Sequence, residues 1–252
     1  MKVDLGKRIK FFRKRIGMSQ LELEAAIDSS AGAISRIENN QVNPTKETIL
    51  NISKILELNN TEIDYLIGQT ALPASQEEIE KAVKEANRVL GVGHRFAYLI
   101  DERWRYYIFS KGFNNLLQMS SDDITYMQRK TTVQSLVESD SPIPKRLDKD
   151  HYYELVYSYL HNYYTNMSHM DDDPFYIDSV KSILKNPRAK EIWKKIKSKE
   201  FTPEENRLVY FNVFGNEFSL HYSYHSLATT TRFFIVEWYT ENKLTDLLSK
   251  YT

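Results

Sequence analysis

The residues best suited to hold a metal are His161, His169 and the run Asp171-Asp172-Asp173. Their spacing fits no established ligand pattern, and an acidic run just before Pro174 reads as a helix-start signal. His221 and His225 share one face of a strand-like run, but about 13 Å separates them along the strand, too far for one ion. The chain has no cysteine, which excludes disulfides, thiolate metal sites and cysteine nucleophiles. No phosphate-cradling glycine loop, GxSxG elbow or GxGxxG run occurs. No catalytic residue, metal or cofactor is implied, and an enzyme is not expected. What remains is hydrogen-bond chemistry. In SSAGAISR the positions Ser30, Ala31, Gly32, Ala33 and Ser35 are small, and Arg36 is the one long donor among them. Packing would favour larger apolar groups, and a glycine inside a helix costs roughly 1 kcal/mol against alanine. Close approach to another surface explains both choices. A helix enters the DNA major groove, about 12 Å wide, only when its exposed face is not bulky.

Short helices must position that stretch. Leu5, Ile9, Phe12 and Ile16 recur at helical spacing, and Gly17 is placed to end the first helix. Ser19 is an N-cap with Glu22 at the capping-box position, and Leu23, Ala26 and Ile27 form the inner side of the second helix. Asp28-Ser29-Ser30 interrupts. Ser30 then caps a third helix to about Glu38, burying Ile34 and Ile37, with Asn39-Asn40 as a left-handed exit. A fourth helix opens at Pro44-Thr45 and carries Ile49, Ile52, Ile55 and Leu56. A fifth runs from Thr61 through Ile63, Leu66 and Ile67 to Gly68.

Net charge is zero, so any attraction to nucleic acid must be local. Residues 1–17 hold seven Lys or Arg against Asp4 alone, whereas residues 18–70 hold three basic and eight acidic residues. The starting MKVDLGKRIKFFRKR lacks the apolar core of a signal peptide, and no uncharged apolar run approaches membrane-spanning length. A cytoplasmic protein without membrane contact is expected.

Residues 1–68 resemble a helix-turn-helix of the Xre type, the family of Cro and the phage repressors. The matching stretches are LGKRIKFFRKRIGMSQ, Leu23, AISRIENN and NPTKETILNISKILEL. Two positions depart from the pattern: Glu24 stands where the family usually has alanine, and Asp28 where the turn often has glycine. The resemblance implies that Gln20 starts the second helix close to the phosphate backbone. Ser30, Ala31, Gly32, Ala33 and Arg36 would form the recognition face, and Asn39, Asn40 and Thr45 would donate to phosphates. Of the basic residues in the first helix, one to three would reach the duplex, with Arg8 and Arg13 the candidates. Glu38 is expected to be structural, because a carboxylate beside phosphate repels. One small module makes few phosphate contacts, so a homodimer on a pseudo-palindromic double-stranded DNA operator is expected.

GQTALPASQ reads as a linker, and residues 76–90 regain a helical period through Ile79, Val83, Ala86 and Leu90. Then RFAYLI and RWRYYIF, parted by Asp101-Glu102, read as a β-hairpin. A helix follows near residues 112–118, then a polar stretch ending in SPIP. Helical segments from 150 to 197 are broken at DDDP and NP. RLVYFNVF, NEFSLHYSYH and TTRFFIVEWY read as strands, with Gly215 turning the first pair and a short helix, NKLTDLLSK, closing the chain. The expected organisation is a DNA-binding domain over 1–68, a linker and connecting helix over 69–93, and a ligand-binding or dimerisation domain over 94–252. The fold class is an all-α five-helix domain followed by an α+β domain with an antiparallel sheet.

Residues 94–252 resemble the MmyB-like, PAS-like ligand-binding domains found behind Xre-type modules. The resemblance is carried by YLIDERWRYYIFS, FNNLL, NPRAKEIW, GNEFSLHYSYHSL and RFFIVEWY, with Ser110 where the family commonly has asparagine. On the strands Phe218, Leu220, Tyr222 and Tyr224 share one face, as do Phe234, Val236 and Trp238. Such aromatic walls suit a small apolar ligand, and the resemblance implies a fatty-acid-like one. Trp104, Tyr106, Phe109, Phe113, Tyr222, Phe234 and Trp238 are the lining candidates. The expected function is a transcriptional regulator that senses this ligand. The alternative is a constitutive regulator whose second domain binds a protein or peptide and dimerises.

Overall fold

A computed structural model describes residues 4–68, 72–91, 95–147, 152–171, 173–198, 208–213 and 216–239. The chain divides into two units at Pro73 and Ala74.

The first unit contains α1 (Leu5–Arg15), α2 (Gln20–Ala26), α3 (Ala33–Glu38), α4 (Lys46–Ile55) and α5 (Asn60–Ile67). Caps set their ends. Asp4 accepts the Lys7 N–H at the start of α1, Ser19 and Glu22 form the full capping box of α2, and Thr45 caps α4. The helices converge on Ile9, Phe12, Leu23, Ile34, Ile52, Leu56 and Leu66, all fully buried. Ala26, expected on the inner side of α2, is exposed. Gly6 permits α1 to approach α3 closely: a Cβ there would overlap the carbonyl oxygens of Ile37 and Glu38.

The third helix starts later than its periodicity suggests. Ser30 does not cap it; Gly32 is its N-cap, at φ +77°, and the first helical residue is Ala33. Gly32 is therefore required by left-handed backbone at the helix entrance rather than by a position inside the helix. Asp28 also lies at positive φ, +52°, and Asn40 supplies the left-handed exit at +55°.

The second unit opens with α6 (Gln76–Leu90), followed by the hairpin β1 (Phe96–Asp101) and β2 (Tyr106–Phe109). Helices α7 (Lys111–Leu116), α8 (Ser121–Met127), α9 (Thr132–Val137), α10 (Tyr152–Met167), α11 (Pro174–Lys185) and α12 (Pro187–Lys197) come next. Strands β3 (Leu208–Val213), β4 (Asn216–Leu227) and β5 (Thr230–Tyr239) complete the sheet, ordered β2-β1-β5-β4-β3 with every pair antiparallel. Gly215 and the segment NKLTDLLSK lie outside the described residues. Helices α8 and α9 occupy the stretch whose sequence reads only as polar.

Every residue of β1 is buried because both faces are covered. On one face Ala82, Ala86 and Leu90 of α6 pack on Ala97, Leu99, Phe233 and Ile235, where the two alanines allow close contact. Residues 76–90 thus belong to the second unit's core. Glu78 of α6 pairs with Arg232 at 3.0 Å, and Glu85 accepts the Ala228 N–H at 2.8 Å and the Thr229 hydroxyl. Rings fill the opposite face. Tyr98 meets the Tyr159 hydroxyl of α10 at 3.3 Å, and Tyr222, opposite Trp238 in the register, accepts from Asn162 at 3.0 Å.

Candidate nucleic-acid interface

Helices α2 and α3 are joined by a turn built around Glu24. Its backbone carbonyl accepts the Ser29 N–H at 2.9 Å, while its carboxylate accepts the N–H of Gly32 at 3.1 Å and of Ile34 at 2.9 Å. Gly32 has no side chain to cap α3, and Glu24 supplies the missing acceptor from the preceding helix. The chain therefore absorbs its departure from alanine at position 24 as a cap.

Ile34, Ile37 and Glu38 face inward, and Ser30, Ala31, Arg36, Asn39, Asn40 and Thr45 are exposed. Gly32, Ala33, Ser35 and Gln20 are half-buried. Arg36 lies back across Gly32, with Nη2 3.5 Å from the Ser30 hydroxyl. Glu38 is not its partner. Arg13 engages that carboxylate through two bonds, Nε at 2.6 Å and Nη2 at 2.9 Å, and Gln20 donates to it at 2.7 Å. The exit carries further side-chain bonds. Asn39 donates to the Ser35 carbonyl at 2.9 Å, and Asn40 donates to Asp4 at 2.8 Å while accepting the Gly6 N–H. The Thr45 hydroxyl is held by Thr48.

Two residues expected to meet DNA turn inward. Arg8, 9 % exposed, stacks over the Tyr65 ring at 3.8 Å and donates to the Tyr65 carbonyl. Arg13, 6 % exposed, is the counter-ion of buried Glu38. Their alternation with Ile9 and Phe12 is compatible with a solvated stripe. The partners that draw them inward lie far along the chain, so local spacing carries no sign of them.

In the second unit, a cavity of about 30 Å³ lies between the sheet and its covering helices. Of the expected lining residues, Tyr106, Phe113 and Trp238 border it. Trp104 and Tyr222 are buried in the adjoining ring stack, against Tyr163 and Tyr159 respectively. Phe109 stacks on Phe113, and Phe234 is half-buried opposite Ile100. Tyr98, Thr132, Ser135, Leu155 and Tyr159 also border the cavity and were not singled out by sequence. Leu155 and Tyr159 were legible as an i, i+4 pair in the tyrosine-rich run. Burial pushes the pKa of the Tyr98, Tyr106 and Tyr159 hydroxyls above the ordinary tyrosine value. Ser110 caps α7, accepts the Ala97 N–H and donates to the Arg95 carbonyl.

The hairpin turn expected at Asp101-Glu102 spans residues 102–105, with Asp101, Glu102 and Arg103 buried and Arg105 half-buried. Arg103 is fully enclosed between Glu102 and Asp173, Arg105 pairs with Asp101 at 2.6 Å, and Arg232 reaches Glu102 at 2.5 Å. Asp173, the last residue of the acidic run before Pro174, also caps α11.

Two short helices joined by a tight turn, the second bare on its outer side, define a helix-turn-helix unit. Residues 9–62 match a protein-family model described as helix-turn-helix, which supports a DNA-binding transcriptional regulator with an Xre-type module. The match does not extend into the second unit. No curated protein matches the chain. Among the described residues, no helix is long and apolar enough to cross a membrane.

Proposed function

We propose that the chain is a sequence-specific regulator that lays α3 in the major groove of an operator and reads it with Arg36. The observation that carries this reading is the division of α3 and its entrance: Ile34, Ile37 and Glu38 of the helix are buried, while its Arg36 and the preceding Ser30 and Ala31 are exposed. Among the described residues the Arg36 guanidinium has one hydrogen bond, a long contact to Ser30, so swinging it to a guanine edge or a phosphate gives up little. Asn39 and Thr45 stand at the flanks as phosphate donors. A six-residue helix makes few contacts, which supports a homodimer on two half-sites about one helical turn apart. A role on DNA supports a cytoplasmic location. Selection from random duplexes tests the reading: a recovered, two-fold-related site is expected, and no preferred site at any ionic strength would overturn it.

For residues 94–252 we infer a PAS-like sensor of a small apolar or fatty-acid-like ligand. The aromatic lining with the hydroxyls of Thr132 and Ser135 supports it. The cavity of about 30 Å³ holds only one or two waters, so ligand entry requires the rings to part. That tight filling favours a second reading, an interaction and dimerisation module. Native mass spectrometry of protein taken from cells separates them: a retained ligand of fatty-acid mass supports the sensor, and operator affinity unchanged by that ligand overturns it.

A further inference from the structure

We propose that Glu24 is a positioning residue for DNA reading whose unpaired charge also holds down sequence-independent binding; the inference rests on the DNA-reading role of α3 proposed above. Glu24 is 4 % exposed, and its contacts bracket the whole entrance to α3. The carbonyl fixes Ser29 through its N–H and its hydroxyl, and the carboxylate fixes Gly32 and Ile34. Ser30, Ala31 and Ala33 lie on the segment between these anchors, so the shape offered to a base edge depends on this one side chain. The second buried carboxylate of the motif, Glu38, is neutralised by the Arg13 guanidinium. Among the described residues no cation pairs with Glu24, whose charge is met by backbone N–H groups alone. A carboxylate removed from water is poorly screened, and it sits directly behind the face that approaches the phosphates. Its repulsion acts on every duplex alike, whereas the ordered α3 entrance favours only the matching one. One residue thus lowers binding to arbitrary DNA and supports binding to the operator.

The two contributions separate in a pair of full-length variants titrated against the selected operator and a random duplex, with melting temperature recorded. Glu24→Gln keeps the shape but loses the charge and one of the two acceptors. Its affinity for random DNA should rise roughly threefold while operator affinity stays level or falls. Glu24→Asp keeps the charge but shortens the reach, so operator affinity should fall while random-DNA affinity stays within about twofold of the native chain. A purely structural residue would lower operator affinity in both variants without raising random-DNA affinity in Glu24→Gln, and that result overturns the inference. If Glu24→Gln does not fold, Glu24→Asp decides: a rise in its random-DNA affinity shows that a loosened turn, not the charge, governs that binding. A native chain with no preference between the duplexes would defeat the DNA-reading role itself. A native preference left unchanged in both variants would defeat only the role of Glu24.

Discussion

Arg13 and Arg36 lie on neighbouring helices and show how position in the fold separates two identical side chains. Arg36 stands outside with one long contact; Arg13 is enclosed and matches both oxygens of Glu38. Arg36→Ala should weaken operator binding by about 1–3 kcal/mol and relax preference at one base pair, if the contact is bidentate to guanine. Weakening uniform across sequences would assign it to phosphate. Arg13→Ala should act on the fold, because it leaves Glu38 buried and short of its counter-ion, a change that costs about 3–5 kcal/mol. Denaturant unfolding of the first unit checks this. A variant of native stability with a shallower salt dependence of DNA binding would instead place Arg13 at the duplex.

At the scale of elements, the helix entrances and close approaches are set by backbone as much as by side chains. Gly32→Ala places a side chain at φ +77° and should cost about 1–2 kcal/mol, read as a lower unfolding midpoint. Gly6→Ala meets two carbonyl oxygens of α3 and should cost about 1–3 kcal/mol by prising α1 from α3. If either variant melts like the native chain, the corresponding backbone geometry is disproved. These two glycines also mark the limit of the sequence. The hydrophobic period and the Ser19–Glu22 pair made α1 and α2 legible, since both signals are local. A glycine at a left-handed N-cap looks the same in sequence as one inside a helix, so the sequence reading starts α3 two residues early, capped at Ser30 instead of Gly32. Buried Arg8 depends on Tyr65, 57 positions away, which no periodicity reveals. Helices α8 and α9 go unread in the polar stretch although Ser120–Asp123 and Thr131–Gln134 form capping boxes of the same kind as Ser19–Glu22. On the sheet, alternation identified the aromatic face of β5, but whether rings fill it or line a cavity depends on α10.

For the whole molecule, the enclosed charges of the β1–β2 turn give the second unit its own acid response. Burial and the adjacent Asp101 carboxylate raise the Glu102 pKa against the pull of Arg232 and Arg103. A carboxylic acid raised in this way takes up its proton more readily folded than unfolded. Its contribution to stability is complete below the ordinary value of about 4.5 and is lost as pH climbs through the raised one. The melting temperature of the native chain, relative to Glu102→Gln, should therefore increase as pH falls from neutral towards 4.5. A difference independent of pH would show that Glu102 titrates like an exposed glutamate. The helix that opens this unit is tied to the same turn, since Glu78 shares Arg232 with Glu102 while Glu85 grips the β4–β5 bend. With one fastening on β5 and the other on the bend before it, α6 is clasped to the sheet at two points along its length. Its leading end, Gln76, follows directly on the stretch of chain that comes from the first unit, so whatever displaced these strands would carry that junction with them.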